Sequence, residues 1–263
     1  MNDDLRAVTD ALAEAMRVVQ RHAEQGVEVE YKEHGSPVTE CDREVDALLR
    51  DMLPRGDDGW MSEESTDDPE RMQRRRVWIV DPLDGTRAFV AGRNDYAVSI
   101  ALLVDGEPVL GAVGNPVYGL TVVGGPGHGL QIRGEPDWHW PKGTPRPRVL
   151  ASRSEIKRGE WRPFEQRFAI RPVGSVALKL ALVAGGFADA TWTLQPKHEW
   201  DVAAGAALVR AAGGDLWLPR GGHLKWNRLR PRFLSFAAAL PGLRPEIEVA
   251  IAAGRDHEPG RPG

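Results

Sequence analysis

Two carboxylates and a hydroxyl lie close together in the segment WIVDPLDGT, residues 78–86. Asp81, Asp84 and Thr86 follow a short apolar run of β-branched and aromatic residues that is typical of a buried strand. A proline and a glycine within the segment predict a turn, so the three side chains are expected to crowd one strand end. Packed carboxylates repel one another unless a cation bridges them. The segment therefore predicts a site for a hard divalent cation such as Mg²⁺, which also accepts phosphate oxygens as ligands.

Three further acidic segments contribute candidate ligands from distant parts of the chain. Glu63 and Glu64 are adjacent, Asp42 belongs to the segment VTECD, and Asp201 begins an alanine-rich helical stretch. Each has a structural alternative. Asp42 and Asp201 are well placed to cap helices, the glutamates lie in an acidic loop typical of solvent exposure, and DPLDG is an ordinary turn sequence. Each alternative is sufficient by itself, but together they require four coincidences in one chain.

The hydrophobic pattern predicts alternating helices and strands around these segments. Apolar residues recur at helical spacing in 5–19 and again in 45–52, and 175–184 predicts a further helix. Strands are predicted at 77–80, 120–124, 168–173 and 188–194, with a hairpin at 96–115 that turns at Asp105-Gly106. The predicted organisation is an N-terminal half (1–124), an extended connection (125–148), a C-terminal half (149–253) and a disordered tail (254–263).

Composition argues against several classes of protein. The chain has 263 residues and a net charge of −4 with both signs interspersed, which does not favour a protein that binds nucleic-acid polymers. The basic cluster 71–76 is expected to be solvated. No apolar run reaches membrane length and no secretory signal is present, so a cytoplasmic location is expected. The single cysteine, Cys41, cannot form an internal disulfide, and the seven histidines show no zinc-ligand spacing.

The four acidic segments, taken in order, resemble the inositol monophosphatase superfamily of Mg²⁺-dependent, lithium-sensitive phosphatases. The markers are V-T-x-x-D, an E-E pair, D-P-[IL]-D-G-T, and W-D followed by a helix that ends in glycine. The resemblance extends from Asp3 to about Ala253. It implies a mixed α/β fold, an αβαβα sandwich of the inositol monophosphatase and fructose-1,6-bisphosphatase type, with the metal site between two halves.

The resemblance also implies roles for individual residues. Two or three Mg²⁺ ions would be held by four carboxylates and one backbone carbonyl: Glu63, Asp81, Asp84, Asp201 and Leu83. Three side chains would orient and deprotonate the attacking water: Glu64, Thr86 and Asp42. The substrate would contact some of the same groups and the backbone amides that follow Asp84: Glu63, Asp84, Gly85, Thr86 and Asp201.

Two other phosphatase or nucleotide-binding chemistries are disfavoured by spacing. A haloacid dehalogenase signature places its two aspartates two positions apart, whereas Asp81 and Asp84 are separated by three, so a covalent aspartyl-phosphate is poorly supported. No G-x-x-x-x-G-K-[ST] phosphate loop occurs in the chain. Direct attack by metal-activated water is the chemistry that remains.

The substrate is predicted from motifs outside the metal segments. Inositol monophosphatases place a glutamate that binds sugar hydroxyls seven residues before the W-D aspartate, and this chain has Leu194 there. The segments ASRS (151–154), GSVALKLALVAGG (174–186) and LKWN (224–227) instead resemble bacterial 3′(2′),5′-bisphosphate nucleotidases. In those enzymes a serine and a lysine bind the second phosphate, and the corresponding residues are Ser175 and Lys179. A solvated lysine on a helix surface is the alternative for Lys179.

Two departures keep other substrates open. Glu155 stands where those nucleotidases often have histidine, and Arg87-Ala88-Phe89 resembles histidinol-phosphatases more closely. We therefore expect a small phosphorylated substrate, with hydrolysis of 3′-phosphoadenosine 5′-phosphate to AMP ranked first. Phosphatases of inositol, histidinol or another small alcohol rank second, and a non-catalytic cation-binding relative is the alternative of another class. A monomer or a homodimer is expected.

Overall fold

A computed structural model describes residues 2–26, 29–31 and 37–255. Two short 3-10 helices occupy Pro69–Gln73 and Arg162–Phe164. The α-helices of the described residues are α1 (Asn2–Gln25), α2 (Glu40–Met52), α3 (Thr86–Val90), α4 (Arg153–Lys157), α5 (Val176–Ala184), α6 (Glu199–Ala211) and α7 (Arg244–Arg255).

Most strands of the described residues belong to two sheets. A six-stranded sheet contains β3 (Gly59–Ser62), β4 (Arg76–Asp84), β5 (Ala97–Val104), β6 (Glu107–Asn115), β7 (Leu120–Gly125) and β8 (Gly129–Arg133). A five-stranded sheet contains β9 (Arg148–Ala151), β10 (Ala169–Pro172), β11 (Ala190–Thr193), β13 (Asp215–Trp217) and β15 (Phe236–Ala239). The remaining strands form two small antiparallel pairs: β1 (Val29–Tyr31) with β2 (Pro37–Thr39), and β12 (Lys197–His198) with β14 (Arg232–Phe233).

The six-stranded sheet runs in chain order from β3 to β8, and only β3 and β4 are parallel. Its central strands are buried on both faces, which is why they read as continuous apolar runs. Successive residues of β4 alternate between two cores. Trp78 and Val80 pack with α1 and α2, whereas Val77 and Ile79 pack with α5 and α6.

The five-stranded sheet has the order β10-β9-β11-β15-β13, with β10, β9 and β11 parallel to one another. One face, which includes Leu150 and Phe236, shares a core with α5 and α6. The other face, which includes Trp192 and Trp217, packs against α7 and the second 3-10 helix. The layers are therefore helix, sheet, helix, sheet, helix, and the predicted αβαβα sandwich is confirmed.

The predicted secondary structure is largely confirmed, with shifted ends. The hairpin at 96–115 is formed by β5 and β6, and the helix at 175–184 is α5. The strands expected at 120–124, 168–173 and 188–194 are β7, β10 and β11. Among the described residues, none of the helices combines the length and the apolar composition that a membrane-spanning segment needs.

The connection predicted at 125–148 contains an element that the sequence pattern did not indicate. Its first part forms β8, which pairs with β7 at the edge of the six-stranded sheet. Trp138 and Trp140 then pack edge to face, and the Arg171 guanidinium lies 4.1 Å from the centre of the Trp138 ring. In the tail expected to be disordered, 254–263, the first two residues end α7 and the others lie outside the described residues.

Candidate metal and phosphate site

The sequence predicted a turn at Pro82, but the chain does not turn there. Instead β4 continues to Asp84, with one extra residue relative to β5 between Asp81 and Asp84. Residues three apart on a regular strand face opposite sides, so this bulge returns Asp84 to the side of Asp81. The turn follows at Gly85, which has a φ of 103° and where a Cβ would lie 2.8 Å from a backbone oxygen of Asp95. Only glycine fits there.

Three carboxylates converge at this strand end. Ligand oxygens of Glu63, Asp81 and Asp201 all lie within 4.8 Å of one another. Glu63 directly follows β3, and its backbone N–H donates to the carbonyl of Val80 at 3.3 Å, which continues the parallel pairing with β4. The two acids therefore lie side by side at the carboxyl ends of neighbouring parallel strands.

Asp201 reaches the cluster from the first turn of α6. One of its oxygens accepts a hydrogen bond from the backbone N–H of His198 at 3.0 Å, so the predicted capping role is also present. The start of α6 is held against the six-stranded sheet by the Ser99 hydroxyl, which donates to the carbonyl of Trp200 at 3.2 Å. Capping and site formation are thus performed by the same side chain.

Asp81 shows that the cluster fits a cation. The residue is 1% exposed, and its Oδ1 accepts from the backbone N–H of Leu83 at 3.0 Å. Its Oδ2 is buried and has no hydrogen-bond donor among the described residues. A buried carboxylate oxygen without a donor is costly. Several oxygen ligands around such an atom match the preference of Mg²⁺ for carboxylates.

The electrostatics of the cluster agree with its geometry. Burial raises the pKa of Asp81 well above its usual value, and the negative charges of Glu63 and Asp84 raise it further. The pKa of Asp201 is raised in the same way, by burial and then by Asp84 and Glu63. A divalent cation would reverse these shifts because it favours the ionised carboxylates.

Asp84 is not one of the three carboxylates in that group, but its negative charge is close enough to raise the pKa of Asp81 and Asp201. Its Oδ2 accepts hydrogen bonds from the Ser175 hydroxyl at 2.7 Å and from the backbone N–H of Ala177 at 2.6 Å. The two residues predicted to bind a second phosphate thus belong to one assembly with Asp84, because Lys179 lies one turn after Ser175 in α5. Lys179 is not solvated, since it is only 4% exposed, and burial lowers its pKa to about 8.

Asp42 and Thr86 form the contact that the resemblance implied. The Thr86 hydroxyl oxygen lies 3.0 Å from Asp42 Oδ1 and 3.0 Å from the carbonyl oxygen of Leu83, and its one proton can be donated to either. Asp42 Oδ2 accepts from the Thr39 backbone N–H at 2.8 Å, which completes a capping box for α2. Burial raises the pKa of Asp42. Glu64 follows Glu63 in the same loop, and its backbone N–H donates to Ser62 Oγ at 3.3 Å.

Sequence reasoning missed a buried polar network beside the cluster. Arg71 was expected to be solvated, but it is only 2% exposed. Its Nη2 donates to Asp67 at 2.9 Å and to the carbonyl of Arg228 at 3.0 Å, and its Nη1 donates to Asn227. Glu199 is fully buried and accepts from the backbone N–H of Asn227 at 2.6 Å. The network ties the chain that follows Glu63 to the start of α6. The signal was the LKWN segment, whose asparagine makes these contacts.

The two positions from which the sequence analysis argued about the substrate lie beside a cavity of about 520 Å³. Leu194 and Glu155 both line it, together with aromatic and arginine side chains. The Glu155 carboxylate is buried and accepts hydrogen bonds from Trp161 Nε1 at 2.9 Å and from the Thr193 hydroxyl at 2.5 Å. Its charge is therefore engaged by protein donors.

Known proteins resemble this chain over most of its length. The model of the inositol monophosphatase family matches residues 1–247. A 3′-phosphoadenosine 5′-phosphate phosphatase of Mycobacterium leprae is 36% identical over 78% of each chain. The 3′(2′),5′-bisphosphate nucleotidase CysQ of Escherichia coli is 32% identical over 84% of this chain and 89% of its own. The structure of an IMPase from Thermotoga maritima superposes with a TM-score of 0.78 at 26% identity, covering 97% of this chain and 98% of that one.

Proposed function

This chain is a phosphatase of the inositol monophosphatase family, and we propose that it hydrolyses the 3′-phosphate of 3′-phosphoadenosine 5′-phosphate to give AMP and phosphate. The observation that carries the chemistry is the convergence of Glu63, Asp81 and Asp201 around a buried carboxylate oxygen that has no donor among the described residues. The observation that carries the substrate is the identity of 36% and 32% to relatives named for bisphosphate nucleotides.

We assign the cation ligands as predicted from the sequence, and Mg²⁺ as the cation, in two or three sites. The ligands are four carboxylates and one backbone carbonyl: Glu63, Asp81, Asp84, Asp201 and Leu83. When bound, the ions neutralise charge on the phosphoryl oxygens and lower the pKa of water. The raised pKa values of Asp81 and Asp201 support this assignment, because they show how unfavourable the cluster is without a cation.

The remaining residues act on the attacking water and on the phosphate. The Thr86 hydroxyl donates a hydrogen bond to Asp42. As the water attacks, the Thr86 oxygen accepts a proton from it while the hydroxyl proton passes to Asp42, and Glu64 orients that water. Gly85 precedes the first turn of α3 and Thr86 begins it, so their backbone N–H groups have no partner within the helix and can donate to the phosphate. A covalent intermediate is not required.

The structure weakens one objection to a bisphosphate substrate. An acid at position 155 would repel a doubly charged nucleotide if it faced the ligand, but the Glu155 carboxylate is buried and hydrogen-bonded to Trp161 and Thr193. The Leu194 side chain offers no acceptor for sugar hydroxyls, which disfavours an inositol substrate. An inositol or histidinol phosphate stays the second candidate, because an IMPase has a closely similar fold and Arg87-Ala88-Phe89 follows the acidic turn.

The test compares kcat/KM for adenosine 3′,5′-bisphosphate, inositol 1-phosphate and histidinol phosphate, with and without Mg²⁺. We expect a preference for the bisphosphate and no turnover when Mg²⁺ is removed. Asp84→Asn should abolish turnover, while Asp105→Asn, an exposed aspartate in the turn between β5 and β6, should retain it. A strong preference for either monoester would reverse the substrate assignment, and full activity of Asp84→Asn would refute the metal assignment.

A further inference from the structure

Lys179 is the one charged residue of α5, a helix whose nine residues are all buried. Lysine is rarely buried, because its ammonium group loses hydration there. Methionine has a similar length and would fill the same space without that cost. A buried ammonium at this position therefore needs partners that a purely apolar helix would not require.

The partners of the ammonium group are two backbone carbonyls at the start of the same helix. Lys179 Nζ donates to the carbonyl of Ser175 at 2.8 Å and to that of Val173 at 3.5 Å. The backbone N–H of Val173 in turn donates to the carbonyl of Ala151 at 2.9 Å, at the end of β9. The lysine thus links the carbonyls on both sides of Gly174. The N–H of Val173 connects this turn to the end of β9 in the five-stranded sheet.

The backbone that Lys179 holds is strained and closely packed. Ser175 has a φ of 53°, a left-handed conformation that residues with a Cβ rarely adopt. A Cβ on Gly174 would lie 2.8 Å from the Cβ of Asp95. The turn is therefore pressed against the segment that precedes β5, and it persists because its surroundings fix it.

This conformation gives Asp84 its two donors. The Ser175 hydroxyl accepts from the backbone N–H of Leu178 at 3.0 Å, which orients its proton toward Asp84 Oδ2 at 2.7 Å. The Ala177 N–H reaches the same oxygen at 2.6 Å. Both donors fix Oδ2, so Oδ1 is the oxygen left to bind a cation.

We propose that Lys179 is a positioning residue: it holds the Val173–Ser175 turn in the conformation that fixes Asp84 for cation binding. This inference rests on the proposed function in one respect, that Asp84 is a cation ligand. It assigns Lys179 a role other than direct contact with a second phosphate. Two of its three N–H groups already bind carbonyls and the side chain is 4% exposed, so a phosphate would reach it only if the turn opened.

The test uses Lys179→Met, Ser175→Ala and the double variant, with Lys157→Met on the exposed end of α4 as the matched control. Two quantities are measured: the Mg²⁺ concentration that gives half-maximal activity, and the rise in melting temperature during a Mg²⁺ titration. We expect both single variants to raise the Mg²⁺ requirement about tenfold, and kcat/KM to fall by the same factor for a bisphosphate and for a monophosphate substrate. The double variant should be no worse than either single variant, because both act through Asp84.

Two outcomes would overturn the inference. Loss of activity on the bisphosphate alone would show direct phosphate contact by Lys179, and an unchanged Mg²⁺ requirement would show that the lysine serves folding only. If Lys179→Met does not fold, Ser175→Gly tests the contact through which the turn is proposed to act on Asp84, because it removes the hydroxyl while relaxing the backbone. An unchanged Mg²⁺ titration in that variant also overturns the inference. The Mg²⁺ titration by melting temperature needs no substrate, so its result stands even if the nucleotide assignment fails.

Discussion

Asp81→Asn should stabilise the Mg²⁺-free protein while abolishing its activity. Asp81 Oδ2 is buried without a donor among the described residues, and it lies in a group whose ligand oxygens are within 4.8 Å of one another. Two unit charges at that distance repel by about 3.5 kcal/mol at an effective dielectric constant of about 20. Proton uptake by the cluster relieves part of this repulsion, so we expect a gain of about 1–3 kcal/mol.

The assay is thermal unfolding at slightly alkaline pH, in a chelator and in saturating Mg²⁺. A gain of 1 kcal/mol corresponds to about 2–4 °C in a chain of this size, so Asp81→Asn should melt several degrees above wild type in the chelator. Mg²⁺ should raise the melting temperature of wild type and leave that of the variant nearly unchanged. Activity should fall about a thousandfold, a loss of roughly 4 kcal/mol of transition-state stabilisation.

The control is Asp105→Asn, which makes the same chemical change on an exposed turn. Asp105 has a φ of 52°, which asparagine tolerates, and its ion pair with Arg75 is exposed. Its melting temperature should change by the equivalent of less than about 0.5 kcal/mol. If Asp81→Asn destabilises the Mg²⁺-free protein, or keeps its Mg²⁺-dependent stabilisation, the carboxylates are not held together against their repulsion and the cation site is refuted.

Two further predictions follow from the same site. Because the pKa values of Asp81 and Asp201 are raised in the folded protein, the folded state binds more protons than the unfolded state between the ordinary and the raised values. The melting temperature without Mg²⁺ should therefore fall as pH rises through that window, and Mg²⁺ should bind more weakly as pH falls; a pH-independent Mg²⁺ titration would contradict this. Thr86→Ala should lower kcat about 10²–10⁴-fold with little change in the Mg²⁺ requirement, because the hydroxyl acts on the attacking water. The control variant Thr144→Ala should change neither quantity. Loss of Mg²⁺ binding in Thr86→Ala would instead give the hydroxyl a structural role.

The sequence predicted most of the site because its ligands lie in short local motifs. Residue type made Glu63, Asp81 and Asp201 candidates, the resemblance to the family implied that they bind metal, and they converge in the structure. The contacts that hold the motifs together were not predictable, since they join residues far apart in the chain. Ser175 reaches Asp84 across 91 residues, and Arg71 reaches Asn227 across 156. A hydrophobic period reports which face of an element is buried, but it carries no information about such pairings.

Local reasoning failed where tertiary structure overrode a turn signal. Pro82 lies within β4 instead of ending it, because a bulge places one extra residue of β4 between Asp81 and Asp84, and a strand tolerates proline at a bulge. The basic run 71–76 was expected to be solvated, yet Arg71 is buried and donates hydrogen bonds to Asp67 and Asn227. A charge run does not predict exposure where partners are available, and two of the partners of Arg71, the Asn227 side chain and the Arg228 carbonyl, come from the other half of the chain.

The sequence left open whether these acids cap helices or form a site, and the structure shows capping contacts that are compatible with the proposed site. Each aspartate uses one oxygen for structure: Asp81 accepts from Leu83, Asp201 and Asp42 accept from helix-start amides, and Asp84 accepts from Ala177. Each of these amide contacts holds one oxygen of the carboxylate in place. A carboxylate fixed in this way has no rotamer freedom left to lose when a cation binds. We infer that these amide contacts help to pre-organise the proposed site.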